Sequence, residues 1–163
     1  MTPAIPLANS HAADSHVIDT RFGSFMGSPR DVVTLVDGLP GFEQQRRFVL
    51  LSGPSFEPFT ILRGLGPDAP SFATIDPRTV VADYAPHVSP QDLARLNATA
   101  GDTLVWLAIV SLDASGEATA NLRAPVVISP ASLRGVQLID INAEATGGEP
   151  APQYRFDHPL RAA

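Results

Sequence analysis

The most constraining feature of this chain is its punctuation. Short runs rich in β-branched and aromatic residues follow one another, and each is closed within a few positions by Gly, Pro or Asp. Runs of this length and composition read as strands. They cover Val17–Phe25, Val32–Val36, Arg47–Leu51, Phe59–Arg63, Ser71–Ile75, Ala118–Arg123, Val126–Ser129 and Val136–Ile141, with Tyr154–Phe156 as a final edge. Thr103–Val110 is longer and almost wholly apolar, so both of its faces should be covered. Asp113-Ala114-Ser115-Gly116 after it is a good hairpin turn. The 16 prolines break helices and protect strand edges.

One segment departs from this pattern. Ser89 suits an N-cap, Pro90 the first helical position and Asp92 the acid of a capping box. Leu93 and Leu96 share a face, and Asn97 can end the helix. A short helix that plugs an open end of the sheet is the expectation. Many short strands with one helix favour a closed or nearly closed barrel or a sandwich. Phe22, Phe48, Phe59, Phe72, Leu104, Trp106 and Ile109 are the expected core. Residues 1–15 read as a disordered tail and residues 16–160 as a single domain, with a weak linker over Asn142–Pro152.

The chain has no cysteine, which excludes disulfides, thiolate metal sites and thiol nucleophiles. The four histidines form no metal-binding pair pattern, and neither a P-loop nor a G-x-S-x-G elbow occurs. Gly64-Leu65-Gly66-Pro67-Asp68-Ala69 is a turn, because Pro67 and Pro70 oppose the helix that a dinucleotide fingerprint needs. Asp76 and Asp83 could pair as acids, but Asp76-Pro77 reads better as a turn. The expectation is therefore a protein that is not an enzyme and carries no cofactor and no metal. A net charge of −6, with every base an arginine, opposes direct nucleic-acid binding and permits a basic protein partner. Met1–Asn9 lacks the features of a signal peptide, and Leu104–Val110 is about a third of a membrane span, so a cytoplasmic location without membrane contact is expected. A flavin-binding barrel would need convergent phosphate-gripping cations, and here the bases are few and scattered. An OB-like binder of single strands would need a basic aromatic groove, which this composition opposes.

Ordered segments carry a resemblance. Thr20-Arg21-Phe22-Gly23, Asp37-Gly38-Leu39-Pro40-Gly41-Phe42-Glu43, Arg47–Leu51, Phe72–Pro77, Asp83-Tyr84, Leu107–Val110, Asn121–Ile128, Gly135–Leu138 and His158-Pro159-Leu160 resemble, in order and spacing, the flagellar assembly factor FliW family. The resemblance implies a β-barrel-like, mainly antiparallel fold with two protein partners, flagellin and the translational repressor CsrA. It implies a chaperone-like, translation-regulating role, in which flagellin and CsrA are bound in turn. Under that reading Leu39, Phe42, Glu43, Asp76 and Asp83 are the candidate protein-binding residues. Asn121, beside Pro125, is read first as a side chain that satisfies backbone at a bulge.

Overall fold

The computed structural model describes residues 16–20, 23–27, 31–54, 57–139 and 154–155; side chains are described from residue 31 to residue 139. The strands are β1 (His16–Thr20), β2 (Gly23–Gly27), β3 (Val32–Leu35), β4 (Arg47–Leu51), β5 (Phe59–Gly64), β6 (Ser71–Ile75), β7 (Val105–Leu112), β8 (Ala118–Ala120), β9 (Val126–Ser129), β10 (Arg134–Gln137) and β11 (Tyr154–Arg155). The helix α1 spans Pro90–Arg95, and a 3-10 turn spans Pro77–Thr79.

Seven strands close on themselves in the order β7-β6-β5-β4-β3-β10-β9, because β7 pairs with β9 as well as with β6. Among the described residues every pairing is antiparallel except β3 with β10, where Thr34 faces Arg134 and Leu35 faces Gly135. The single parallel seam arises because β10 returns to β3 from the far side of the barrel, after α1 and β7–β9. Closure removes the free edges that a sheet of seven strands would otherwise present. β8 and then β11 extend from β7 beyond the barrel wall.

Alternation along the strands separates inside from outside. Val33, Leu35, Phe48, Leu50, Leu62, Val105, Leu107, Val126 and Ile128 pack together in the interior, with Phe72 and Ile109 against them. At one end Thr60 and Thr74 fill the interior as a hydroxyl pair 2.6 Å apart. The outer faces are covered too. Val127, Val136, Leu104 and Trp106 lie under Leu93 and Leu96 of the α1 segment. Ala108, Val110, Ala118 and Ala120 lie under Val80, Val81 and Tyr84. On β4 and β5, Val49, Leu51 and Ile61 are buried, and β2 packs against β4. The expectation that β7 is covered on both faces is met.

The helix forms as its sequence dictates. The Ser89 hydroxyl accepts the Asp92 N–H at 3.1 Å and itself donates to the Asp92 carboxylate, and Asn97 follows the helix at φ 50°. Rather than plugging an end, α1 lies on the barrel flank: Ser132 Oγ and Arg134 Nε donate to the carbonyls of Leu96 and Arg95, tying the helix to the start of β10.

Boundaries differ from the expectation by more than one residue in four places. Val17–Phe25 is a hairpin of two strands rather than one, with β1 paired to β2 from His16–Gly27 to Thr20–Gly23. The long apolar strand runs two residues later, since Leu112 still pairs with Ala118. β8 ends at Ala120, because Asn121 starts a turn. The strand expected at Val136–Ile141 is Arg134–Gln137, and register with β9 defines it better than composition does. Residues 1–15, the stretch from Asn142 to Pro152, Phe22 and Phe156 lie outside the described residues.

Candidate functional site

The registers place the loop between β3 and β4, the loop between β5 and β6, the end of β7 and the end of β10 at one end of the barrel. The β3–β4 loop is built from the inside outward. Leu39 is buried, at 2% exposure, and belongs to the interior cluster, so its side chain anchors the loop rather than facing outward. Leu39 and Phe42 form an isolated bridge, and Phe42 N donates to Leu39 O at 2.7 Å. Gly38 (φ 67°) and Gly41 (φ 83°) supply left-handed positions that side-chain-bearing residues rarely adopt. Arg46 donates to the carbonyls of Val36 and Glu43 and clamps the two arms of the loop together.

This frame exposes two side chains of opposite character. Phe42 keeps 42% of its surface exposed while its ring meets Phe72 edge-on at 5.3 Å. It is thus both a lid on the barrel end and a surface aromatic. Glu43 accepts the Gly41 N–H at 2.9 Å, and that bond holds its carboxyl below the usual carboxylate range. The group is anionic at neutral pH and held in place by the loop's own backbone. Among the described residues the other exposed large apolar side chains are Leu112, at the end of β7, and Ile139, just past β10. Both belong to this same end of the barrel.

Asp76 and Asp83 lie elsewhere. Asp76 follows the last residue of β6 and so lies at the opposite end. Its carboxylate accepts Arg78 N at 2.9 Å as the cap of the 3-10 turn and pairs with the Arg78 guanidinium at 3.2 Å. Its assignment is structural, as the turn reading of Asp76-Pro77 expected. Asp83 is exposed on the flank, in the segment whose Val80, Val81 and Tyr84 cover β6–β8. The two acids therefore serve different places, and neither joins the Phe42–Glu43 loop.

Tyr84 fixes that flank. Its hydroxyl donates to Leu122 O at 2.7 Å, its ring meets Trp106 edge-on at 6.2 Å, and burial pushes its pKa up to about 12. A raised folded-state pKa means that the folded chain holds this proton more tightly than the unfolded chain does. The contribution is whole below about pH 10 and is lost as pH rises towards 12. Urea titrations between pH 9 and 12 should therefore show stability falling in the wild type, with that fraction of the slope absent in Tyr84→Phe.

Asn121 satisfies backbone as expected, but at a turn rather than at a bulge: its side-chain oxygen accepts Arg123 N and Ala124 N, both at 3.2 Å, and turns the chain from β8 towards β9. Arg95 was not singled out by its sequence context. It pairs with both Asp37 and Asp92 and so links the helix to the start of the β3–β4 loop. The contact joins residues far apart in the chain, and no local signal announces it. Among the described residues no three His, Asp or Glu side chains lie together as a metal site, and no helix is long and apolar enough to cross a membrane.

A family model described as FliW protein matches residues 16–150. The chain belongs to the FliW family. Among curated relatives, the flagellar assembly factor FliW of Syntrophotalea carbinolica is 30% identical over 89% of this chain and 97% of its own length. That of Thermotoga maritima is 30% identical over 76% of this chain and 84% of its own. A crystal structure of the flagellar assembly factor FliW superposes with a TM-score of 0.68 at 30% identity, covering 78% of this chain and 90% of that one. The resemblance read from the ordered motifs is thus established, and with it the mainly β barrel with one short helix. The membership is to a family of flagellar assembly factors, and the Asp37–Glu43 motif is the loop that closes the barrel end.

Proposed function

We propose that this chain is a cytoplasmic, non-enzymatic regulator of flagellar assembly that binds flagellin and sequesters the translational repressor CsrA, relieving repression of flagellin synthesis. Membership of the FliW family supports the flagellar part. The observation that carries the binding part is the β3–β4 loop, which holds an exposed aromatic beside a fixed carboxylate on a frame of backbone bonds. A rigid aromatic anchor with a charged neighbour suits recognition of another protein, because little conformational freedom is lost on contact. The negative charge has the sign needed to meet a basic RNA-binding repressor.

The contact face centres on Phe42 and Glu43, with Asp83 as a separate flank contact; Leu39 positions the loop and Asp76 caps its turn. Glu43→Arg should weaken capture of CsrA by roughly 3–10-fold at low salt and less at high salt, as expected for an exposed charge at an interface rim. Asp83→Arg should act independently, so that the double variant shows the product of the two effects. Isothermal titration of purified CsrA at two salt concentrations measures both. Unchanged affinity in Glu43→Arg and in Phe42→Ala would remove this loop from the contact.

A further inference from the structure

Outside the barrel, β8 is a strand of three residues whose inner edge pairs with β7 and whose outer edge is covered by β11, a strand of two residues from the C-terminal part of this same chain. Tyr154 faces Ala120 and Arg155 faces Thr119, antiparallel. We propose that the outer edge of β8 is a strand-addition site for an extended segment of a partner protein, and that the chain's own Tyr154–Arg155 strand occupies it in cis as a displaceable stand-in.

Three observations carry this. First, among the described residues the rest of the nine-stranded sheet has no such edge, since the barrel closes through β7–β9. The β8 edge is where main-chain N–H and C=O groups of the nine-stranded sheet need an added strand. Second, the cover is minimal. Sixteen residues separate Gln137, the end of β10, from Tyr154, and the strand they deliver pairs over two positions. Two facing pairs in an antiparallel ladder exchange few hydrogen bonds, so a partner that pairs with all three residues of β8 and continues past its ends gains more than the cis strand holds. Third, the occupant indicates the chemistry. The cis strand is Tyr154-Arg155, an aromatic followed by a cation, and the turn leading into β8 brings Asp113 and Glu117 to the start of β8. Asp113 stays ionised, its carboxylate accepting Ser115 Oγ and the N–H groups of Ser115 and Glu117. An extended partner alternating aromatic and cationic residues fits this edge. β11 also lies beyond residues 16–150, the span that matches the family model.

The chain's lack of cysteine makes a clean test. Thr119→Cys/Arg155→Cys locks the cis strand when oxidised and frees it when reduced. Tyr154→Pro/Arg155→Pro removes the N–H groups that the cis strand can donate and opens the edge. The probe is a synthetic peptide of residues 151–160, titrated into each full-length, isotope-labelled protein by NMR. A flexible tether gives the cis strand an effective concentration on the order of millimolar, against which the peptide must compete. Saturable shifts at the Ala118, Thr119 and Ala120 amides are expected, with at least fivefold tighter binding to the double-proline variant than to the wild type and none to the oxidised pair until it is reduced. Equal binding by the wild type and the double-proline variant, or shifts not centred on β8, would overturn the proposal. The comparison of these two stands even if the cysteine pair fails to fold.

Discussion

Gly38→Ala should cost about 2–5 kcal/mol and, in the same variant, weaken partner binding. Two effects add. The residue sits at φ 67°, where an L side chain costs roughly 1–2 kcal/mol. A Cβ there would also lie 2.8 Å from Glu43 Cα and 2.9 Å from the carbonyl oxygens of Glu43 and Phe42. These are backbone atoms, which move only if the loop moves, and overpacking of that kind costs about 1–3 kcal/mol. The displaced atoms belong to the two residues that the loop presents, so the stability loss and the binding loss share one cause. Gly41→Ala is the control: its φ is 83°, but nothing lies within 4 Å of the added carbon. It should lose only the conformational part and keep the Phe42–Phe72 contact. Urea midpoints for both variants, with CsrA titrations alongside, make the comparison. Equal losses in the two would show that the close approach of Gly38 to Phe42 and Glu43 is unimportant.

Gly135→Val is expected to destabilise the barrel by about 3 kcal/mol or more, roughly 10 °C in Tm for a chain of this size. Gly135 has an ordinary φ, so strain is not the reason. It faces Leu35 across the parallel seam, and an added Cβ would lie 2.5 Å from Leu35 Cδ2 and 3.2 Å from Ile128 Cγ1. Leu35 and Ile128 are both fully buried and have nowhere to retreat. The missing side chain is what lets β10 come close enough to β3 to close the barrel. Leu35→Ala alone should cost about 2–5 kcal/mol through the cavity it leaves. Joined to Gly135→Val, it should recover part of that loss, because the valine fills the space the leucine vacated. A double-mutant cycle by thermal or urea unfolding reads the coupling directly. Strictly additive losses would mean that the two residues do not share the space.

Much of this protein was legible in its residues because much of it is local. Cap chemistry at Ser89, the Asp113–Gly116 turn and the two-faced apolar pattern of β7 each depend on neighbours a few positions away, and each formed as read. The ordered motifs carried the family for the same reason, since they record which short segments occur in which order. What required the tertiary structure is whatever depends on pairing across the barrel. The parallel β3–β10 seam follows from the path of the chain, and no pattern within either strand distinguishes it from an antiparallel one. Leu39 reads as a loop residue and is core, because the loop folds back over the barrel mouth. Glu43 and Asp76 stand together among the candidate contact residues until strand direction assigns them to opposite ends. Composition and short-range stereochemistry determine which elements exist; register and closure decide which side chains meet, because contacts between distant residues are set by how strands align and not by what lies beside them in the chain.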